Sequence, residues 1–178
     1  AFEQMAQQLK EHEQLQHLLA YRDALTGLRN TNSYWAWITD FDKEIEMGEI
    51  NFGVLVFDIN YLKETNDRYG HDVGNKLIVS AARVISDTFK RSPVFRIGGD
   101  EFLVILQNRD LEDLEVLLKK FDEECVNAQV ETDKENIPVS IAKGFARYDF
   151  RSDSNFIDVF NRADDAMYEN KREMKGLK

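Results

Sequence analysis

Two carboxylates follow two glycines in RIGGDEF, residues 96–102, with the apolar runs VF before it and LVIL after it. Asp100 and Glu101 beside Gly98 and Gly99 could serve in two ways. As a bare hairpin tip they need only turn the chain, because Gly-Gly is a common turn dipeptide. As a site, the glycines remove the Cβ atoms that hold a bulky anion off, so backbone N–H groups can reach phosphate oxygens. A distant carboxylate favours the second use. FGVLVFDI, residues 52–59, is an almost unbroken apolar and β-branched run, which reads as a central buried strand with Asp58 at its end. If that strand neighbours the hairpin, Asp58 and Asp100 meet. Two carboxylates from separate segments suit Mg²⁺ (or Mn²⁺), a hard cation that commonly takes only one or two ligands from protein. A pair of such ions can activate an attacking oxygen and stabilise a leaving one in phosphoryl transfer.

The elements that must position these residues follow from periodicity. Tyr34 to Met47 reads as a helix stopped by Gly48. DVGNKLIVSAARVISDTFK, residues 72–90, places Val73, Leu77, Ile78, Ala81, Val84, Ile85 and Phe89 at helical spacing, with Asp72 as its expected N-cap. The stretch from Asn60 to His71 reads as a polar, turn-rich loop. PVFRI and FLVILQ flank the Gly-Gly turn, LEDLEVLLKKFDEECVNA forms a second amphipathic helix, PVSIAKGFARY a further strand, and residues 154–175 a last helix. Both prolines, Pro93 and Pro138, are expected near strand starts, where a missing N–H is tolerated. The order predicts an α+β fold, a largely antiparallel sheet with helices on one or both faces.

Composition narrows the function. With 178 residues, 43% of them hydrophobic, the chain can form one domain and an appendage. A single cysteine, Cys125, permits no internal disulfide and no Cys/His metal cluster, which fits a reducing, cytoplasmic setting. No apolar run approaches membrane-spanning length. A net charge of -10 argues against nucleic acid as a partner, and a polyphosphate ligand would need a cation's help. Residues 1–20 differ from the rest. Phe2, Met5, Leu9, His12, Gln16 and Leu19 alternate at spacings of three and four in a Gln- and Glu-rich segment without Gly or Pro. That narrow seam predicts a helical, dimer-forming stalk continuing from an upstream region, ahead of a domain over 21–178.

Four motifs together carry a resemblance: DALTGLRN at 23–30, FDINYLKETNDRYGHDVGN at 57–75, RIGGDEF at 96–102 and RADDAMYENK at 162–171. In this order they resemble the GGDEF family of diguanylate cyclases, which condense two GTP molecules into cyclic di-GMP. The resemblance implies the GGDEF, nucleotidyl-cyclase-like fold, of ferredoxin-like type. It implies Mg²⁺ at Asp58, Asp100 and the Ile59 carbonyl, with Asp100 and Glu101 at the reacting centre. Gly98 and Gly99 would let phosphates lie against the backbone, Lys63 and Lys171 would bind phosphate, and Asn66 and Asn75 would face guanine. It also implies a homodimer with facing active sites and an upstream sensor domain, in a protein that can be tethered to a membrane.

The departures are specific. Asn75 stands where the family usually has Asp; a carboxylate accepts from both guanine N1–H and N2–H, whereas an amide offers one acceptor. Relaxed base selectivity, with a mixed GMP-AMP product, is one alternative function, and a non-catalytic GTP-binding module is another. Lys175 stands where an Arg is common, so a point charge remains without the bidentate fork. Asn60 replaces the second Asp of D-x-D, and Thr31 replaces an Arg. Where many members carry the R-x-x-D product-binding pair, this chain has Phe89 and Ser92, so feedback inhibition through that pair is not expected.

Overall fold

A computed structural model describes residues 2–48 and 50–176 of the chain. The first described element is helix α1, Phe2–Tyr21, which buries none of its residues. Helix α2 spans Thr31–Met47. It starts three residues earlier than expected because the Asn30 side chain caps it by accepting from Ser33 N–H. Gly48, in the left-handed conformation at φ 78°, stops it. Strand β1, Gly53–Ile59, is buried along its whole length.

Two helices follow where one was expected. Leu62–Tyr69 is α3 and His71–Thr88 is α4, with Gly70 (φ 89°) between them. The loop assigned to Asn60–His71 is therefore largely helical. Asp72 lies in the first turn of α4, and no side chain caps that helix. Strands β2, Val94–Arg96, and β3, Glu101–Leu106, form the signature hairpin. The expected helix over 111–128 is split at Asp113 into α5, Asn108–Glu112, and α6, Leu114–Asn127. The expected single strand around residues 138–148 is likewise two pieces. β5, Asn136–Pro138, pairs with β4, Gln129–Glu131, in a separate two-stranded sheet, and β6, Ile141–Arg147, joins the main one. Pro138 thus ends a strand instead of starting one, and β5 tolerates it because among the described residues its only strand partner is β4. Helix α7, Phe156–Met174, is the last described element.

The main sheet has the order β2-β3-β1-β6, antiparallel throughout. Alternation along β1 sends Leu55, Phe57 and Ile59 to one face, against Leu77, Ala81, Ile85 and Phe121 of α4 and α6. Val54 and Val56 face the other way, against Tyr34, Ile38 and Phe41 of α2 and Phe156, Val159 and Ala163 of α7. Helices therefore cover both faces, which is why β1 lacks a polar side until Asp58. Truncating its fully buried ring, Phe57, would cost about 3–5 kcal/mol. Gly144 of β6 lets α7 press close: a Cβ there would collide with the backbone of Ala163 and Met167. That approach brings the C-terminal turns of α7 over the end of β1.

Candidate active site

The antiparallel register places Asp58 of β1 opposite Glu101 of β3, and opposed residues share a face. That face is the one covered by α7. Ile59 N–H donates to the Asp100 carbonyl at 2.9 Å, so the backbone itself fastens the signature turn to the end of β1. The expected meeting of Asp58 and Asp100 is thus made by sheet pairing between segments forty residues apart.

Electrostatics follow from the crowding. Burial is the largest cause raising the Asp58 pKa, and the Asp100 charge adds to it; the Lys171 hydrogen bond opposes without cancelling. Lys171 Nζ donates to Asp58 Oδ1 at 2.6 Å, with side-chain exposures of 25% and 9%. Burial also raises Glu101, followed by Asp100, Asp58 and Asp164 of α7. Two carboxylates and the Ile59 carbonyl at one corner form an all-oxygen donor set that fits Mg²⁺ or Mn²⁺, and their mutual repulsion is the charge such an ion relieves. Among the described residues no three His, Cys, Asp or Glu side chains converge as a ready cage. The protein would therefore supply only part of such an ion's shell.

The signature turn covers residues 97–100, and its glycines work differently from a two-residue hairpin. Neither Gly98 nor Gly99 has a positive φ. Gly98 leaves room for a neighbour, since a Cβ there would lie 2.7 Å from Glu101 Oε2, and its N–H already donates to the Glu101 carbonyl at 3.3 Å. Gly99 is exposed and a Cβ would meet nothing, so of the two it presents the open backbone. Arg96 braces the turn. Its Nη1 donates to both carboxylate oxygens of Asp23 at 3.1 Å and its Nη2 to the Gly99 carbonyl at 2.8 Å. Burial pushes the Asp23 carboxyl up, but hydrogen bonds from Thr26 and Arg96 outweigh it and hold the pKa below its ordinary value. Sequence reasoning singled out both motifs without pairing them; opposite charges inside two motifs were the available signal.

The remaining expected residues lie around this corner and beyond it. Lys63 is exposed in the first turn of α3, one turn before Asn66. Asn66 packs onto α4 so closely that a Cβ at Gly74 would collide with its Oδ1. Lys175 caps the C-terminus of α7, with its ammonium 5.0 Å from the Tyr61 ring centroid. Asn75 is exposed and opens onto a cavity of about 450 Å³ with an apolar side of Leu25, Val79 and Val130, and with Lys76, Gln129 and Glu131 at its polar parts. None of the carboxylates at the β1 end lines that cavity. Asn60 is buried, donating to Ser140 Oγ at 3.0 Å, with its Oδ1 unpartnered.

Phe89 is wholly buried in the core. Arg91 pairs with Asp110, from further along the chain, at 2.8 Å, and Ser92 Oγ donates to the same carboxylate at 2.6 Å. Arg22, Arg29, Lys90 and Arg91 nevertheless line a cavity of about 460 Å³ at the start of β2, the opposite end from the signature turn.

The profile of the family "Diguanylate cyclase, GGDEF domain" matches residues 20–176. The chain is 33% identical over 110 residues to the probable diguanylate cyclase DgcC of Escherichia coli K12, covering 61% of this chain and 30% of that protein. It is 26% identical over 171 residues to the diguanylate cyclase DgcM of the same organism, covering 95% and 40%. The chain thus spans about a third of the length of the curated relatives it matches. Among solved structures, the coiled coil and GGDEF domain of DgcB from Caulobacter crescentus, in complex with c-di-GMP, superposes with a TM-score of 0.82 at 25% identity, covering 95% of this chain and 90% of that one. The diguanylate cyclase SiaD from Pseudomonas aeruginosa, in complex with its activator SiaC, shares the fold at a TM-score of 0.78 and 23% identity, covering 96% and 65%.

Proposed function

Because the chain belongs to the GGDEF-domain diguanylate cyclase family, matched over residues 20–176, we propose that it condenses two GTP molecules into cyclic di-GMP and pyrophosphate. The observation that carries the reading is the backbone-fastened corner where Asp58 and Asp100 meet beside an open Gly99. In this reading Asp58, Asp100 and the Ile59 carbonyl hold Mg²⁺ or Mn²⁺, which when bound supplies positive charge to the triphosphate. Lys63, Lys171 and Lys175 receive phosphate oxygens, and the Gly99 backbone lets them approach. The 3′-hydroxyl of a GTP held by a second protomer attacks the α-phosphorus in line. One O–P bond forms, the bond to the β-phosphate oxygen breaks and pyrophosphate leaves; the reciprocal attack by the other 3′-hydroxyl closes the ring and releases a second pyrophosphate. In this reading Glu101, on the same face as Asp58, takes the hydroxyl proton. Most of the acceleration comes from positioning and charge.

A second copy supplies the other half of the site. The apolar residues of α1 support this requirement, since Phe2, Met5, Leu9 and Leu19 are 85%, 68%, 60% and 71% exposed. A helix that leaves such a seam uncovered suits pairing with its equivalent in a stalk. No helix among the described residues is long and apolar enough to cross a membrane. Asn75 favours a second reading of the same chemistry, relaxed base selectivity. One experiment separates the readings: incubate the chain with Mg²⁺ and GTP, ATP or both, then weigh the products. Cyclic di-GMP from GTP alone is expected. A mixed GMP-AMP product would shift the reading to relaxed selectivity, and nucleotide binding without product would reduce the chain to a GTP-binding module.

A further inference from the structure

The residue joining β1 to α3 holds a conformation that a side chain rarely adopts. Tyr61 has φ 62° and ψ 22°, the left-handed region that residues with a Cβ enter only where their surroundings require it. The residue is 46% exposed, so core packing does not hold it there. What faces the ring is a cation. Lys175 Nζ stands 5.0 Å from the ring centroid, inside the ≈6 Å range over which an aromatic face attracts an ammonium.

Two contacts bring this pair to the carboxylate corner. Asn60, the residue before Tyr61, reaches Met174 Sδ through its Nδ2 at 3.5 Å, tying the end of β1 to the residue before Lys175. Lys175 N–H donates to the Lys171 carbonyl at 3.2 Å, and Lys171 itself reaches Asp58 at 2.6 Å. The Lys175 charge is near enough to Asp58 to lower its pKa, though less than the Lys171 hydrogen bond does. A lysine ammonium on a four-carbon stem is a mobile point charge with no fork to fix it. The Tyr61 ring restricts where that charge sits.

We propose that Tyr61 is a positioning residue whose ring holds the Lys175 ammonium at the mouth of the carboxylate corner, where it receives the β- and γ-phosphates of the nucleotide. The identity of that anion rests on the cyclase reading; the pairing of ring and ammonium does not. A guanidinium at 175 would orient itself by bidentate hydrogen bonds, whereas a lysine needs an external guide, and Tyr61 provides one.

The test is calorimetric titration of the whole chain, in Mg²⁺, with an α,β-methylene analogue of GTP and separately with GMP. The proteins are wild type, Tyr61→Phe, Tyr61→Leu, Lys175→Met and the Tyr61→Leu/Lys175→Met double variant. Phe and Leu both keep a Cβ in the left-handed backbone, so the difference between them reports the ring. Tyr61→Leu is expected to weaken the triphosphate analogue roughly two- to fivefold, the worth of a cation–π contact at an exposed site. Tyr61→Phe should bind like wild type, GMP should be indifferent to both, and Tyr61→Leu should add no further loss to Lys175→Met. Wild-type affinity in Tyr61→Leu, failure of Phe to rescue, an equal loss for GMP, or additive losses would overturn the proposal while leaving the cyclase reading in place. A wild-type chain that binds neither nucleotide would overturn both.

Discussion

Replacing Lys171 with methionine keeps most of the apolar stem and deletes the ammonium 2.6 Å from Asp58 Oδ1. Breaking a fully buried ion pair costs about 3–5 kcal/mol, because the surviving charge is stranded, and an exposed pair contributes under about 1 kcal/mol. This pair lies between those limits, with the carboxylate 9% and the ammonium 25% exposed. A loss of about 2 kcal/mol of folding stability at neutral pH is therefore expected. For a chain of this size that is a fall in Tm of roughly 4–8 °C, readable by urea and thermal denaturation. The pH dependence fixes the cause. In the folded state burial already holds the Asp58 pKa above its ordinary 3.8, and losing Lys171 raises it further. A raised folded pKa penalises folding above that pKa, and the penalty disappears as pH falls through it. The variant should thus approach wild-type stability near pH 4, and added Mg²⁺ without nucleotide should narrow the gap at pH 7. A loss that is independent of pH, or one below about 0.5 kcal/mol, would refute the assignment of Lys171 as the partner that neutralises Asp58.

Three further outcomes are expected. Glu101→Gln should stabilise the metal-free protein at pH 7, because burial raises the Glu101 pKa above its ordinary 4.5; thermal melts should show the gain vanishing as pH falls toward that ordinary value. Gly74→Ala should leave stability within about 1 kcal/mol of wild type, because the new methyl meets only the amide end of Asn66, which can swing away, and a helical glycine gives way to a better helix former; calorimetry should nevertheless show weaker nucleotide binding as Asn66 is displaced. Asn75→Asp should favour GTP over ATP on the order of tenfold more than wild type, the worth of a hydrogen bond to a charged group, when product masses are compared in an equimolar mixture of the two nucleotides.

Much of the site was legible in the chain because its signals are local. The unbroken apolar run of β1 announces a strand buried on both faces, and Asp58 ends it; Gly48 stops α2 as its lack of a Cβ predicts. Helix α3 was missed because LKETNDRY buries only Thr65. Eight residues without an apolar stripe carry no periodic signal, and packing against α4 keeps them helical. The division between α5 and α6, and the short pairing of β4 with β5, were hidden for the same reason. Both depend on contacts, and their own segments are too short to state a period.

The sequence alone determined which residues could do chemistry: hard oxygen donors, bare glycine backbone and lysines, all recognisable by type. Tertiary structure decided which of them meet. Lys171 and Asp58 are 113 positions apart and Arg96 and Asp23 are 73 apart, while Arg91 finds Asp110 where no adjacent motif offered it an acid. No local period encodes such pairings. They follow from the antiparallel register that sets Asp58 against Glu101 and from the close approach of α7 to Gly144. The same approach puts Lys175 over Tyr61.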